Sequence, residues 1–252
     1  ELTCFQAYDI RGIIGENFDR DICYQISRAF AQTLNASKVV LGRDIRDSSI
    51  SFQESIVEGL VDQGVEVLDI GLCGTEEVYS AVTVFNACGG IMITASHNPK
   101  NYNGLKLVKK SSKPLDPDTE LIEIKKIAES NNFIGNSKLG SVVNVNNEAR
   151  STYVKNVTKF LGQSKVKPLK IVVNFGNGCA GPTFDAILSQ ITEKIIDVKF
   201  EKMFHDPDGN FPNGVPNPLL EKNQFPTSEK ILETEADFGV AFDGDFDRCF
   251  FF

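Results

Sequence analysis

The 252-residue chain is short of basic charge. Lys and Arg number 26 against 34 Asp and Glu, for a net charge of −8. That balance argues against a nucleic-acid partner or an acidic membrane, because binding an extended phosphate surface needs a basic face. It leaves room for a small phosphorylated molecule, which a few local basic groups can hold. Paired cysteines are also missing: the six lie at 4, 23, 73, 88, 179 and 249, with no C-x-x-C. With only two histidines, a zinc site is not expected. Isolated cysteines in apolar surroundings such as "RCFFF" read as reduced, buried thiols. No apolar run approaches the roughly 20 residues needed to cross a bilayer. The opening "ELTCFQAYDI" has neither a basic start nor an apolar signal core. These features predict a cytoplasmic protein with no membrane partner. The first residue is not Met, which suggests an excised piece.

Strand-like and helical patterns alternate along the chain. "ASKVVLGRD" (36–44), "VEVLDIG" (65–71) and "GGIMITAS" (89–96) read as buried strands. "SISFQESIVEGLVDQG" (49–64), "EVYSAVTVFNA" (77–87) and "DPDTELIEIKKIAESN" (116–131) read as helices, the first closing on Gly64. Ser48 or Ser49, in "GRDIRDSS", is expected to cap the first of these helices. The polar stretch 133–147 reads as a boundary region, and 148–162 as a helix opening a second unit. Then come strand, glycine turn and helix over 169–191. A strand, a loop and a new strand follow over 236–252. The fold class predicted is α/β, with two consecutive domains (1–147 and 148–252), each a mixed sheet flanked by helices. Ending inside an apolar "CFFF" run would leave an unpaired edge, so the natural chain is expected to continue past Phe252.

Two stretches carry chemistry. In "DGDFDR", Asp243, Asp245 and Asp247 follow an apolar strand, and Gly244 permits a tight turn. Three carboxylates in five residues repel unless a cation offsets them. All-oxygen ligands suit a hard cation, and Mg²⁺ uses few protein ligands. An EF-hand does not fit, because its sixth-position glycine would be Arg248. That arginine either neutralises the acids or reaches a phosphate. In "TASHNP", Ser96, His97 and Asn98 sit in a turn after a strand. Either this is a capped turn, or Ser96 faces a metal and carries a phosphoryl group. A Ser96–His97 dyad is not expected, since adjacent side chains diverge. Lys106, ten residues on, is a surface lysine or a base. Asp9 and Arg11 in "AYDIRG" read as a structural pair, and His205 as a turn residue. "GNGCAG" (176–181) fits the dinucleotide fingerprint G-x-G-x-x-G, but the acid expected after the next strand is unclear, with Asp197 inside "IIDVKF".

Taken together, "CFQAYDIRG", "TASHNPKNYNGLKLV", "VVNFGNGCAGP", "PDGNFPNGVPNPLL" and "AFDGDFDRC" occur in the order found in the α-D-phosphohexomutases. The chain resembles the first two of that family's four domains. Its variants, "GLCGTEEVYSA" among them, are most similar to the bacterial phosphomannomutase branch. The resemblance implies an isomerase that moves phosphate between O6 and O1 of mannose through a phosphoserine and a bisphosphate, feeding GDP-mannose synthesis. Phosphoglucomutase or dual specificity is the alternative within the family. The resemblance also implies roles for individual residues. Ser96 would be the phosphoserine and would ligate Mg²⁺ with Asp243, Asp245 and Asp247. Lys106 would be the general base. Arg248 would assist catalysis, and Tyr8, Arg11, His97 and Asn98 would bind phosphate or substrate. The partners implied are mannose phosphates and a hexose bisphosphate, with the protein a monomer or dimer. Three other readings stand beside this one: a haloacid-dehalogenase-like phosphotransferase with Asp243 as nucleophile and Asp245 as acid/base, a dehydrogenase built on the glycine turn, and a Mg²⁺- and phosphate-binding half-protein without turnover.

Overall fold

The computed structural model of the chain describes residues 1–161 and 167–252. It divides into two compact units: residues 1–95 with 100–149, and residues 96–99 with 150–252. The division at 149/150 falls within a helix, and Gly162, the last residue of the helix expected there, lies outside the described residues.

The first unit is built on β1 (Ile10–Ile13), α1 (Arg20–Thr33), β2 (Lys38–Arg43), α2 (Asp47–Asp62), β3 (Glu66–Leu72), α3 (Thr75–Val84), β4 (Gly89–Ile93), β5 (Tyr102–Lys109), β6 (Lys113–Pro114), α4 (Glu120–Ser130) and β7 (Ser141–Asn144). The seven strands form one sheet, ordered β1-β5-β4-β2-β3-β7, with β6 hydrogen-bonded to β5. β4, β2, β3 and β7 run parallel, while β5 is antiparallel to β4 and β1. The sheet is therefore mixed.

Strand alternation divides the core in two. Val39, Leu41, Ile91, Ile93, Leu105 and Leu107 point to the face covered by α1, α2 and α4. Val40, Leu68, Ile70, Met92 and Val108 point to the face covered by α3. Period-2 side-chain alternation on strands buried on both faces produces this arrangement. It explains why "KVVLGR" and "GGIMI" are nearly unbroken apolar runs. Glycine brings α1 and α2 together, since a Cβ at Gly59 would lie 2.1 Å from Ser27 Oγ.

Two local expectations change. α2 begins earlier than expected: its N-cap is Arg46, with no side-chain cap, and Ser48 and Ser49 lie inside the helix. Ser49 Oγ donates instead to Asp44 Oδ1 (2.6 Å). The polar stretch 133–147 contains β7, all four residues exposed, which extends the sheet beyond β3. Backbone pairing made this strand, and an exposed edge leaves no apolar pattern to read.

The second unit continues with α5 (Asn146–Thr158), β8 (Leu169–Asn174), α6 (Ala180–Ile191), β9 (Val198–Met203), α7 (Glu221–Thr234), β10 (Phe238–Phe242) and β11 (Cys249–Phe251). Its sheet is ordered β11-β10-β8-β9, parallel except for β11. Phe175 centres the small core, in ring contact with Phe184, His205 and Phe242. Both sheets are thus mixed and helix-flanked, as expected.

Candidate functional site

The acidic loop is the hairpin between β10 and β11. Glycine makes it compact. A Cβ at Gly178 would lie 2.8 Å from Gly244 O, and one at Gly244 would lie 2.8 Å from Ser96 O. Cys179 N–H donates to Gly244 O (3.0 Å), tying the loop to the β8–α6 turn. The three glycines of "GNGCAG" are thus filled by the protein's own chain. Gly176 packs on Pro216, Gly178 on Gly244 and Gly181 on the His205 carbonyl. The backbone N–H groups of residues 176–179 all donate to acceptors of the protein's own chain, so the turn offers a pyrophosphate none of them and the dehydrogenase reading loses its site.

Ser96–Pro99 groups with this second unit. Ser96 is 1% exposed and has φ 51°. A left-handed conformation is uncommon for a residue with a side chain, and it turns the hydroxyl toward the acids. Ser96 Oγ donates to Asp243 Oδ2 (2.7 Å). Arg248 Nη2 donates to Ser96 Oγ (2.9 Å) and lies 2.6 Å from His97 Nδ1. A guanidinium only donates, so His97 Nδ1 is the acceptor in this contact. Ser96 Oγ and His97 Nδ1 are 3.2 Å apart. The adjacent side chains therefore converge, against expectation, because the left-handed serine bends the chain.

Asp243 and Asp245 are 1% and 0% exposed. Each of the three aspartates offers an oxygen, and these oxygens all lie within 4.8 Å of one another. At that spacing a pair of full charges repels by about 3.5 kcal/mol at an effective dielectric near 20. Burial, then the Asp245 charge, push the Asp243 carboxyl up to about 7, although Ser96 and Arg248 pull the other way. Arg248 Nε lies 3.2 Å from Asp243 Oδ2 and 3.5 Å from Asp247 Oδ1. A self-repelling, all-oxygen donor set of two buried carboxylates and the exposed Asp247 fits a hard divalent cation.

The remaining candidates belong to the first unit. Lys106 pairs with Met92 in the β5–β4 register, and Nζ lies 3.4 Å from Thr75 Oγ1 at the start of α3. Alternation along β5 places Lys106 on the α3 face with Val108. Arg11 Nε pairs with Asp9 (2.8 Å), as expected, and its Nη1 donates to Ala95 O (3.2 Å). Tyr8 is 84% exposed. Asn98 is half-buried beside His97. His205 does more than fill a turn: it packs on Phe175 and lies 3.1 Å from Asp185 Oδ2. The site thus unites Ser96, His97, Asp243, Asp245, Asp247 and Arg248 within one unit. Sequence reading passed over Asp44 and Arg46, which a buried-pair pattern within "GRDIR" could have indicated.

Comparison with known proteins adds the following. Residues 3–134 match the family described as phosphoglucomutase/phosphomannomutase, alpha/beta/alpha domain I, and residues 151–252 match its domain II. An Escherichia coli protein named phosphomannomutase is 45% identical over 255 residues, spanning all of this chain and 56% of its own length. A Xanthomonas campestris protein named phosphohexose mutases is 43% identical, with 54% of its length covered. A crystal structure of a phosphoglucomutase/phosphomannomutase family protein from Burkholderia thailandensis superposes on the whole chain with a TM-score of 0.86 and 32% identity, over 54% of that structure. The chain spans little more than half the length of the curated relatives it matches. Among the described residues, no helix is long and apolar enough to cross a membrane.

Proposed function

The chain belongs to the phosphoglucomutase/phosphomannomutase family, and on that premise we propose that it carries the phosphoryl relay of a phosphomannomutase. The reaction is the interconversion of mannose 6-phosphate and mannose 1-phosphate through a phosphoserine and a hexose bisphosphate, supplying GDP-mannose synthesis. The observation that carries this reading is the environment of Ser96. Its hydroxyl donates to a carboxylate of the acid loop at 2.7 Å and accepts from Arg248 at 2.9 Å.

Each part has a task. O6 and O1 of one sugar are too far apart for direct transfer, so the enzyme stores the phosphoryl group on Ser96. In the forward half-reaction the phosphorus–Oγ bond breaks and its electron pair returns to Ser96. A bond forms to the sugar oxygen, and the hydroxyl proton passes to Lys106 Nζ. Arg248, fixed against Asp243 and Asp247, presents a guanidinium edge to the Ser96 oxygen and to charge gathering there. His97 accepts from the same arginine nitrogen and so steadies its orientation. Mg²⁺ would be held by Asp243, Asp245 and Asp247 with an oxygen of the Ser96 phosphate, and when bound it neutralises phosphoryl charge. Arg11, tied to the Ala95 carbonyl, and Tyr8, His97 and Asn98 are assigned to phosphate or substrate binding. We propose the domain boundary at 147/148, two residues before the division of the structure at 149/150. All six cysteines are free thiols, with Cys249 of "RCFFF" exposed against the expectation of burial, and they fit the reducing cytoplasm we propose for the protein, as monomer or dimer.

The test is phosphoryl occupancy. Glucose 1,6-bisphosphate with Mg²⁺ should add one phosphoryl group to the tryptic peptide holding Ser96, and Ser96→Ala should abolish the addition. Mannose 1-phosphate should then discharge the phosphorylated protein. Labelling that survives Ser96→Ala, or that hydroxylamine releases as an aspartyl phosphate, would overturn the proposal in favour of Asp243 as nucleophile.

A further inference from the structure

The motif "GRDIRDSS" takes no part in the reaction proposed above, yet it carries a buried polar cluster in the first unit. Asp44 and Arg46 are each 2% exposed, and Arg46 is the largest fully buried side chain described. Arg46 Nε lies 3.3 Å from Asp44 Oδ2, and Ser49 Oγ donates to Asp44 Oδ1 at 2.6 Å.

The cluster holds both stems of the segment that carries Ser96. On the outgoing stem, Asp44 N–H donates to Ile93 O (2.9 Å), and the Thr94 hydroxyl bonds the Asp44 carboxylate. On the returning stem, Arg46 Nη1 donates to Tyr102 O (3.0 Å). Asn103 Nδ2 donates to Ser48 Oγ (2.8 Å) and Ser49 Oγ (3.0 Å). Thr94 N–H then joins the stems through Gly104 O (3.0 Å).

A buried ion pair adds little stability over a well-packed apolar substitute. Its hydrogen bonds are directional, however, and those to Ile93, Thr94, Tyr102 and Asn103 tie it to both stems. Ser96 stands in a disfavoured left-handed conformation, which persists only where the surroundings over-determine it. We propose that Asp44 and Arg46 are positioning residues: they fix the separation and direction of the Thr94 and Tyr102–Asn103 stems, and through them the turn that displays the Ser96 hydroxyl. This inference rests on the reading of Ser96 as phosphoryl carrier.

Three variants test it: Asp44→Asn, Arg46→Lys and the mild Ser49→Ala. Two measurements are made on each. The first is the rate of phosphoryl uptake at Ser96 from glucose 1,6-bisphosphate, followed by peptide mass. The second is hydrogen–deuterium exchange of a peptide spanning 94–104, compared with one from α4. We expect uptake to fall about tenfold or more in Asp44→Asn, because small misplacements of a reacting group are expensive. Arg46→Lys, which keeps the charge and loses the fork, and Ser49→Ala should fall between it and wild type. Exchange should rise in 94–104 more than in α4. Wild-type uptake in all three variants, or a rise in exchange equal in both peptides, would overturn the proposal. If Asp44→Asn fails to fold, Ser49→Ala decides by the same two outcomes. If wild type itself takes up no phosphoryl group, the carrier reading fails, and the exchange comparison still decides whether the cluster holds the stems.

Discussion

Replacing Asp245 with Asn removes one of three negative charges while keeping the shape of the acid loop. Asp243 rises from 3.8 to about 7, with burial the first cause and Asp245 the second. At about 1.4 kcal/mol per tenfold, that displacement corresponds to about 4 kcal/mol against the ionised carboxylate. Full charges 4.8 Å apart, the widest separation within the cluster, would repel by about 3.5 kcal/mol at an effective dielectric near 20. Because burial is the larger cause, roughly 2 kcal/mol belongs to Asp245. The sign follows from linkage. Between about pH 4 and 7 the folded protein without metal holds a proton on Asp243 that the unfolded chain releases, so its stability falls as pH rises through that window and levels off above it. In EDTA at pH 8, Asp245→Asn should therefore melt higher than wild type, by about 4–8 °C. The gap should close by pH 5, where Asp243 is protonated. Mg²⁺ should reverse the order. At 100 times its Kd it stabilises wild type by about 2.7 kcal/mol, and the variant should respond far less. The assay is thermal unfolding at pH 5 and 8, with EDTA or Mg²⁺. An Asp245→Asn protein that melts lower than wild type in EDTA at pH 8, yet gains as much from Mg²⁺, would refute the reasoning.

Other expectations follow from packing. Gly178→Ala places a Cβ 2.8 Å from Gly244 O, so the acid loop must shift. The Mg²⁺-induced rise in melting temperature should shrink while far-UV circular dichroism stays unchanged. Gly59→Ala places a Cβ 2.1 Å from Ser27 Oγ and 2.7 Å from Tyr24 O, which should cost about 1–3 kcal/mol in urea unfolding. Adding Ser27→Ala should recover only part of that loss, because the Tyr24 carbonyl remains. Arg248→Met removes the donor to Ser96 Oγ and the neighbour of two carboxylates. It should slow phosphoryl uptake about 100-fold and lower the pH-8 melting temperature in EDTA.

Much of the fold was legible because its signals are local. Unbroken apolar runs marked the strands β2 and β4, 3.6-residue spacing marked α2, and an acidic, proline-bearing opening marked α4. β7 escaped because an exposed edge strand has no apolar face to reveal it. Ser48 and Ser49 were expected at a cap, but α2 starts earlier and draws Ser49 into a buried network with Asp44. The expected divergence of Ser96 and His97 assumed ordinary backbone angles, whereas the serine is left-handed.

The sequence alone determined that Asp243, Asp245 and Asp247 crowd together, because five residues around a glycine cannot separate three carboxylates far. It also set the alternation of strand and helix, since both periods are properties of neighbouring residues. Only the tertiary structure decided that Ser96, 147 positions away, lends its hydroxyl to Asp243, and that Gly178 of "GNGCAG" makes room for the acid loop. Contacts between distant segments depend on which surfaces pack and which backbone angles that packing enforces, and no short window of residues encodes either.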